Sequence, residues 1–133
     1  MRLFVADDTG SRELTDGDRK QPIARVSAPD LQQAQRMRQR IHARSDGAAA
    51  ILDIVVAIAA DFRTARRALG PVGANTVHYA GTVAGLLGLI SDIASAGVAD
   101  GVTLIAGSPT QDVTALGREV LGRLHEHRPA HAS

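Results

Sequence analysis

Few residues of this chain have the types and spacing that chemistry requires. Gly81 and Thr82 open an apolar helical stretch, where free backbone N–H groups and the helix dipole favour an anion such as a cofactor phosphate. The same pair is typical of a turn followed by a helix N-cap. The cap is favoured, because neither a GxxxxGKS/T nor a GxGxxG motif surrounds the pair. These two residues are the candidates for cofactor binding, and no catalytic residue is assigned.

Asp53 is the one carboxylate inside the apolar stretch 51–60. A buried carboxylate is costly unless it is paired. It can face a barrel lumen as an acid or base, but pairing with an arginine or a backbone N–H is favoured, because parallel barrels place active-site groups at the carboxyl ends of strands. His78 and Tyr79 can donate hydrogen bonds to a ligand, although a structural role within the chain is favoured.

Three arginines, Arg36, Arg40 and Arg44, follow one another at i, i+4 and i+8 on a predicted helix. Such a basic stripe can contact phosphates. A solvated outer helix face is the favoured interpretation, because no aromatic residues are interleaved with the arginines.

Three histidines near the end of the chain, His125, His127 and His131, can in principle hold a divalent metal. Residues i and i+2 do not share a helix face, so a polar, frayed tail is favoured and no metal site is predicted. GxSxG, HExxH and a cysteine nucleophile are absent from the sequence.

Composition excludes several classes of function. The 133 residues suffice for one domain, and 44% hydrophobic with 22% charged residues is typical of a soluble globular protein. A formal net charge of +1 and an aromatic content of 2% argue against nucleic acid as a partner. The absence of cysteine and of a long apolar segment predicts a cytoplasmic protein with no membrane partner.

Alternating strand and helix patterns position these residues. Strands are predicted at 3–6, at 23–27, over the Ile- and Val-rich stretch 48–60, at the start of VHYAG and at 102–105. Helices are predicted after Ser27 as N-cap, after Asp61 with Phe62, Ala65 and Leu69 facing inward, after Thr82, and after SPTQD. The stretch DDTGSRELTDGDRKQP is predicted to form a turn and a polar linker. Strands that alternate with helices predict a parallel sheet.

Two glycines three apart, Gly85 and Gly88, stand on the helix that follows Thr82. Glycine lowers helix propensity, so both are predicted to allow close packing against the sheet. Gly97 is predicted to end this helix.

Four stretches of the chain, in their order, resemble the C-terminal part of the bacterial luciferase-like flavin-dependent monooxygenases. These stretches are IARVSAPDLQQAQRMRQRI, ILDIVVAIAADFRTARRAL, VHYAGTVAGLLGLISDIASAGVADGVTL and DVTALGREVLGRL. They are most similar to the nitrilotriacetate and desulfurisation branch of these monooxygenases. The most specific piece is the GT-led helix followed by AGVADGVTLI, which in that family is a helix, a Gly turn and the last barrel strand.

The resemblance implies an α/β fold, a partial TIM-like (β/α) barrel of roughly the last three βα units with parallel strands. It implies residues 23–124 as the barrel domain, with a polar segment 1–22 before it and a polar tail 125–133 after it. It also implies a flavin- or F420-dependent oxidoreductase or monooxygenase that uses FMN or F420. A complete barrel takes ~250 residues, so the resemblance implies that this chain alone is not catalytically complete.

An incomplete parallel barrel leaves open strand edges. A homo-oligomer or a larger barrel partner is therefore expected. The alternative is a non-catalytic barrel remnant that acts as an interaction or structural module.

Overall fold

The computed structural model describes residues 1–7, 9–17, 20–44 and 47–132, with side chains up to residue 124. Its elements follow the order β1 (Arg2–Asp7), β2 (Gly10–Glu13), β3 (Ile23–Val26), α1 (Leu31–Arg44), β4 (Ala49–Ile58), α2 (Phe62–Ala68), β5 (Val77–Gly81), α3 (Val83–Ser95), β6 (Gly101–Ala106) and α4 (Val113–Ala132).

One curled sheet in the form of a half-barrel organises the molecule, with the strand order β2-β1-β6-β4-β3. The pairs β1–β6, β6–β4, β4–β3 and β4–β5 are parallel, and β2 runs antiparallel to β1. β3 pairs with residues 49–52 of β4, β5 pairs with residues 54–58, and β6 pairs with residues 51–56. Because β6 overlaps both, β3 and β5 must share the other edge of β4, one after the other.

The main core lies on one face of the sheet. Alternate residues of β4, including Leu52 and Ile54, pack there with Leu86 and Ile90 of α3. α1 adds Ala34 to this core, and α4 adds Val113, Leu116 and Val120. Three helices therefore cover this face, as the strong apolar stripes of α3 and α4 predict.

The opposite face carries a small second cluster of Phe4, Ala49 and Ile51. The guanidinium of Arg2 lies 5.4 Å from the centre of the Phe4 ring and donates to both carboxylate oxygens of Glu13. α2 packs against β4 and β5. The Leu69 side chain just after α2 lies near Val55, which alternates with the main-core residues, so α2 covers this opposite face.

Three predictions about local structure are confirmed. β1 forms where a strand was expected, Asp61 caps α2 by accepting from the Thr64 amide, and Gly97 ends α3 with a φ of +66°. A positive φ is a conformation that glycine adopts without strain.

Other expectations were wrong. The polar linker expected after β1 contains β2, so the sheet is mixed and not all parallel. The expected partial barrel corresponds only to the curled, half-barrel form of this sheet. A strand at the edge of a sheet pairs with only one neighbouring strand, so a polar sequence such as GSRE can form an edge strand. This strand is further secured by the Leu14 amide, which donates to the Leu3 carbonyl.

Two side-chain assignments also differ from expectation. α1 is capped by Asp30, which accepts from the Gln33 amide at 2.8 Å, and not by Ser27. The Ser27 hydroxyl instead donates to the Asn75 carbonyl. Phe62 was expected to face inward but is 55% exposed, and Arg66 lies over its ring.

Candidate functional site

A cleft of about 560 Å³ lies where the carboxyl ends of β1, β4 and β6 meet. Its walls include Asp7 after β1, Val55 of β4, Ala106 at the end of β6, and Ser108 with Asp112 before α4. The 70–73 loop after α2 closes one side. Ligands of open α/β sheets and of (β/α) barrels bind at this end of the strands, so the cleft is the candidate functional site.

Backbone hydrogen bonds tie the cleft walls together. The Gly107 amide donates to the Val56 carbonyl at 2.7 Å, and the Gly70 amide donates to the Gly107 carbonyl at 2.8 Å. A Cβ at Gly107 would lie 2.9 Å from the Val56 carbonyl oxygen and 2.7 Å from Leu69. This close approach requires glycine, and it fixes the loop after β6 against β4 and α2.

Side chains hold the loop between β6 and α4. The Gln111 side-chain oxygen accepts from the Ile58 amide at 2.7 Å, which caps the end of β4. The Asp112 carboxylate accepts from the Ala115 amide at 3.0 Å and so caps the start of α4. The Ser108 and Thr110 hydroxyls lie 3.0 Å apart. These polar side chains of the loop are therefore already engaged in hydrogen bonds within the chain.

The charge of the described lining residues is negative. Hydrogen bonds from the Thr9 hydroxyl and amide, with the nearby Arg12, lower the pKa of Asp7 despite its slight desolvation. Asp7 is thus ionised at neutral pH and is poorly suited to act as an acid there. The described lining residues include neither a histidine nor a cationic side chain. This arrangement can bind and orient a ligand, but it offers little for proton transfer.

FMN and F420 each carry a planar ring system and a phosphate, and the cleft suits the two parts differently. Val55 and Val72 offer apolar walls, and the volume lies within the range of small-molecule sites. The carboxylates of Asp7 and Asp112 repel a phosphate. The residues present therefore fit the ring and do not fit the phosphate.

The Gly81-Thr82 pair lies outside this cleft. Thr82 accepts from the Gly85 amide at 3.2 Å and is the N-cap of α3, as the favoured interpretation predicted. Gly81 is the buried last residue of β5, and its carbonyl accepts from the Ala59 amide. Neither residue lines the cleft at the strand ends.

Tyr79 packs against the first turn of α3. A Cβ at Gly85 would overlap the Tyr79 hydroxyl, so Gly85 allows the ring to approach, as predicted. A Cβ at Gly88 would contact nothing within 4 Å, so the same prediction is wrong for Gly88. His78 is exposed on the opposite side of β5.

The remaining candidates are dispersed. Asp53 pairs with Arg25 at 3.0 Å, which confirms the arginine pairing, and it does not line the cleft. Arg36, Arg40 and Arg44 are exposed on α1. The side chains of the three C-terminal histidines lie outside the described residues.

Among the described residues, no group of three or more histidine, aspartate or glutamate side chains is placed to share a metal ion. The described helices include none with the length and apolar character needed to cross a bilayer. Comparison with known proteins found no matching family model, no matching curated protein and no matching solved structure.

Sequence reasoning missed the cleft residues Gly107 and Gln111. Gly107 follows a buried strand directly, and that position was the available signal for a close backbone approach. Gln111 carried no signal, because its role depends on a partner 53 residues away.

Replacing Gln111 with Ala is expected to lower the free energy of unfolding by about 1 kcal/mol, because the Ile58 amide loses its partner. Urea unfolding followed by circular dichroism measures the change. The exposed Gln32→Ala on α1 is the matched control, and an equal effect of both changes would contradict a specific role for Gln111.

Proposed function

We propose that this chain is one part of a luciferase-like, flavin- or F420-dependent oxidoreductase barrel and that it binds the cofactor's ring without supplying a reacting group. The cleft at the carboxyl ends of β1, β4 and β6 is the observation that carries the proposal. The sequence resemblance and the curl of the sheet support the same assignment.

Catalysis in this proposal requires further strands. The sheet has an edge at β2 and another at β3 and β5, and Ile23 of β3 is 44% exposed. A second copy or a larger barrel partner pairs with an edge, completes the wall and brings the cationic groups that a phosphate needs. Proton transfer is also assigned to the added strands, because the described cleft residues are poorly suited to it.

Titration of the purified chain with FMN and with F420, followed by cofactor fluorescence, tests the proposal. We expect saturable binding at micromolar concentrations by a species whose mass, measured by light scattering, exceeds that of one chain. Ala106→Leu should weaken binding about 10-fold by filling the cleft, whereas Ala94→Leu on the exposed face of α3 should not change it. A folded protein that binds neither cofactor would overturn the proposal.

A second candidate is a non-catalytic module that acts through its sheet edge. The observation that favours it is that Gln111 and Asp112 of the cleft already bond within the chain. Association without cofactor binding in the same experiment would support this alternative.

A further inference from the structure

A second cleft, of about 390 Å³, lies between α1 and the loop before β5. Its lining includes Ser27, Gln33, Met37 and Asn75, together with the two arginines Arg36 and Arg40. It shares no lining residue with the cleft at the strand ends.

This second cleft follows from the break between β3 and β5. The two strands lie one after the other on the same edge of β4. At the break the chain leaves the sheet at the end of β3 and enters it again at the start of β5. Ser27, just after β3, donates from its hydroxyl to the Asn75 carbonyl at 2.8 Å and lies 3.2 Å from the Thr76 hydroxyl. These contacts hold Asn75 opposite the first turns of α1.

The charges in the second cleft are positive and unpaired. Arg36 and Arg40 stand four residues apart, so they share one face of α1. Neither forms an ion pair or a side-chain hydrogen bond with any described residue, whereas Arg38 between them binds Asp100 at 3.0 Å. Like charges at this spacing repel each other and weaken a helix, and a bound anion would relieve the repulsion.

We propose that this second cleft binds the phosphate group of a small phosphate monoester. The guanidinium groups of Arg36 and Arg40 donate to the phosphate oxygens, since the planar fork of arginine matches such oxyanions. Asn75 also lines the cleft and carries a neutral amide donor, and Met37 offers an apolar surface to the organic part. This inference does not rest on the proposed function.

Titration calorimetry with phenyl phosphate at constant ionic strength tests the proposal on the full chain. We expect saturable binding that Arg36→Gln and Arg40→Gln each weaken about 10-fold, the loss expected for a charge-assisted hydrogen bond. Arg44→Gln is the matched control, because it removes the same charge from the same stripe at a position that does not line the cleft. It should change the affinity less than 2-fold. All three side chains are exposed, and circular dichroism verifies that each variant is folded.

Several outcomes would overturn the assignment. The proposal is wrong if the folded wild-type chain shows no saturable binding, or if Arg44→Gln weakens binding as much as the other two variants do. The second outcome would indicate only the diffuse charge of the helix. Phenol, which lacks the phosphate, should not bind, and equal binding of phenol would also contradict phosphate recognition. A short oligonucleotide that binds more tightly than phenyl phosphate would instead indicate a nucleic-acid surface.

Discussion

Replacing Asp100 with Ala is expected to lower the free energy of unfolding by about 3 kcal/mol, because one carboxylate holds three elements together. Asp100 precedes β6, and its carboxylate accepts from the Ala50 amide of β4 at 2.8 Å. It also bonds to Arg38 at 3.0 Å and His42 at 2.7 Å, both on α1. The substitution leaves a buried amide without its partner and a partly buried guanidinium without its counter-ion.

The same residue predicts a pH dependence. Partial burial raises the pKa of the Asp100 carboxyl, but hydrogen bonds from Ala50, His42 and Arg38 outweigh it, so the net pKa lies below the ordinary value. A carboxyl whose pKa is lower in the folded than in the unfolded chain stabilises the folded state at pH values above its unfolded pKa of about 4. This stabilisation is lost as the pH falls through the pKa of the folded state. The wild-type chain should therefore lose stability below about pH 4 more steeply than Asp100→Ala does.

Urea unfolding at pH 7 and at several acidic pH values measures both effects. Asp92→Ala on the exposed face of α3 is the control and should change stability by less than about 0.5 kcal/mol. A loss at Asp100 no greater than at Asp92, or parallel acid curves for wild type and Asp100→Ala, would contradict the role assigned to this carboxylate.

Gly101→Ala is expected to destabilise the protein by about 2 kcal/mol or more. Gly101 opens β6 and is paired with Arg2 of β1 and Ile51 of β4. A Cβ there would lie 2.6 Å from the Arg2 carbonyl oxygen and 2.9 Å from the end of Ile51. Since the Arg2 atom belongs to the backbone, the strands themselves must separate to admit one methyl group.

The matched change Gly88→Ala should have the opposite sign. Gly88 lies in the exposed part of α3, where a Cβ meets nothing within 4 Å and alanine has the higher helix propensity. We expect stabilisation by about 0.5–1 kcal/mol. Thermal and urea unfolding of the two variants test the pair together. Equal effects of the two changes would contradict the packing described for β6.

Patterns that depend on neighbouring residues were predicted well from the sequence. The Val- and Ile-rich run became the central strand β4, and Asp61 and Thr82 became the N-caps of α2 and α3. Each of these features depends on residues that are close together in the chain, so a short stretch of sequence contains the whole pattern. The resemblance to luciferase-like monooxygenases, with FMN or F420 as cofactor, stays a prediction.

Features that depend on distant partners could not be predicted in detail. Asp53 was expected to meet an arginine or a backbone N–H, but only the register of β3 on β4 identified Arg25 as its partner. Likewise, the arginine stripe of α1 predicted an exposed face, and the break in the edge beside it placed Ser27 and Asn75 next to two of its members. Such neighbours are far apart in the chain.

The sequence by itself determined that strands and helices alternate from β3 onward, because hydrophobic periodicity and helix caps are local properties. Only the tertiary structure decided that β2 adds an antiparallel edge, that β3 and β5 divide one edge of β4, and that one cleft lies at the strand ends and another beside α1. Strand pairing joins residues such as Phe4 and Thr103, which lie far apart in the chain. No short stretch of sequence contains both partners, so the sheet order and its clefts are set when the strands pair.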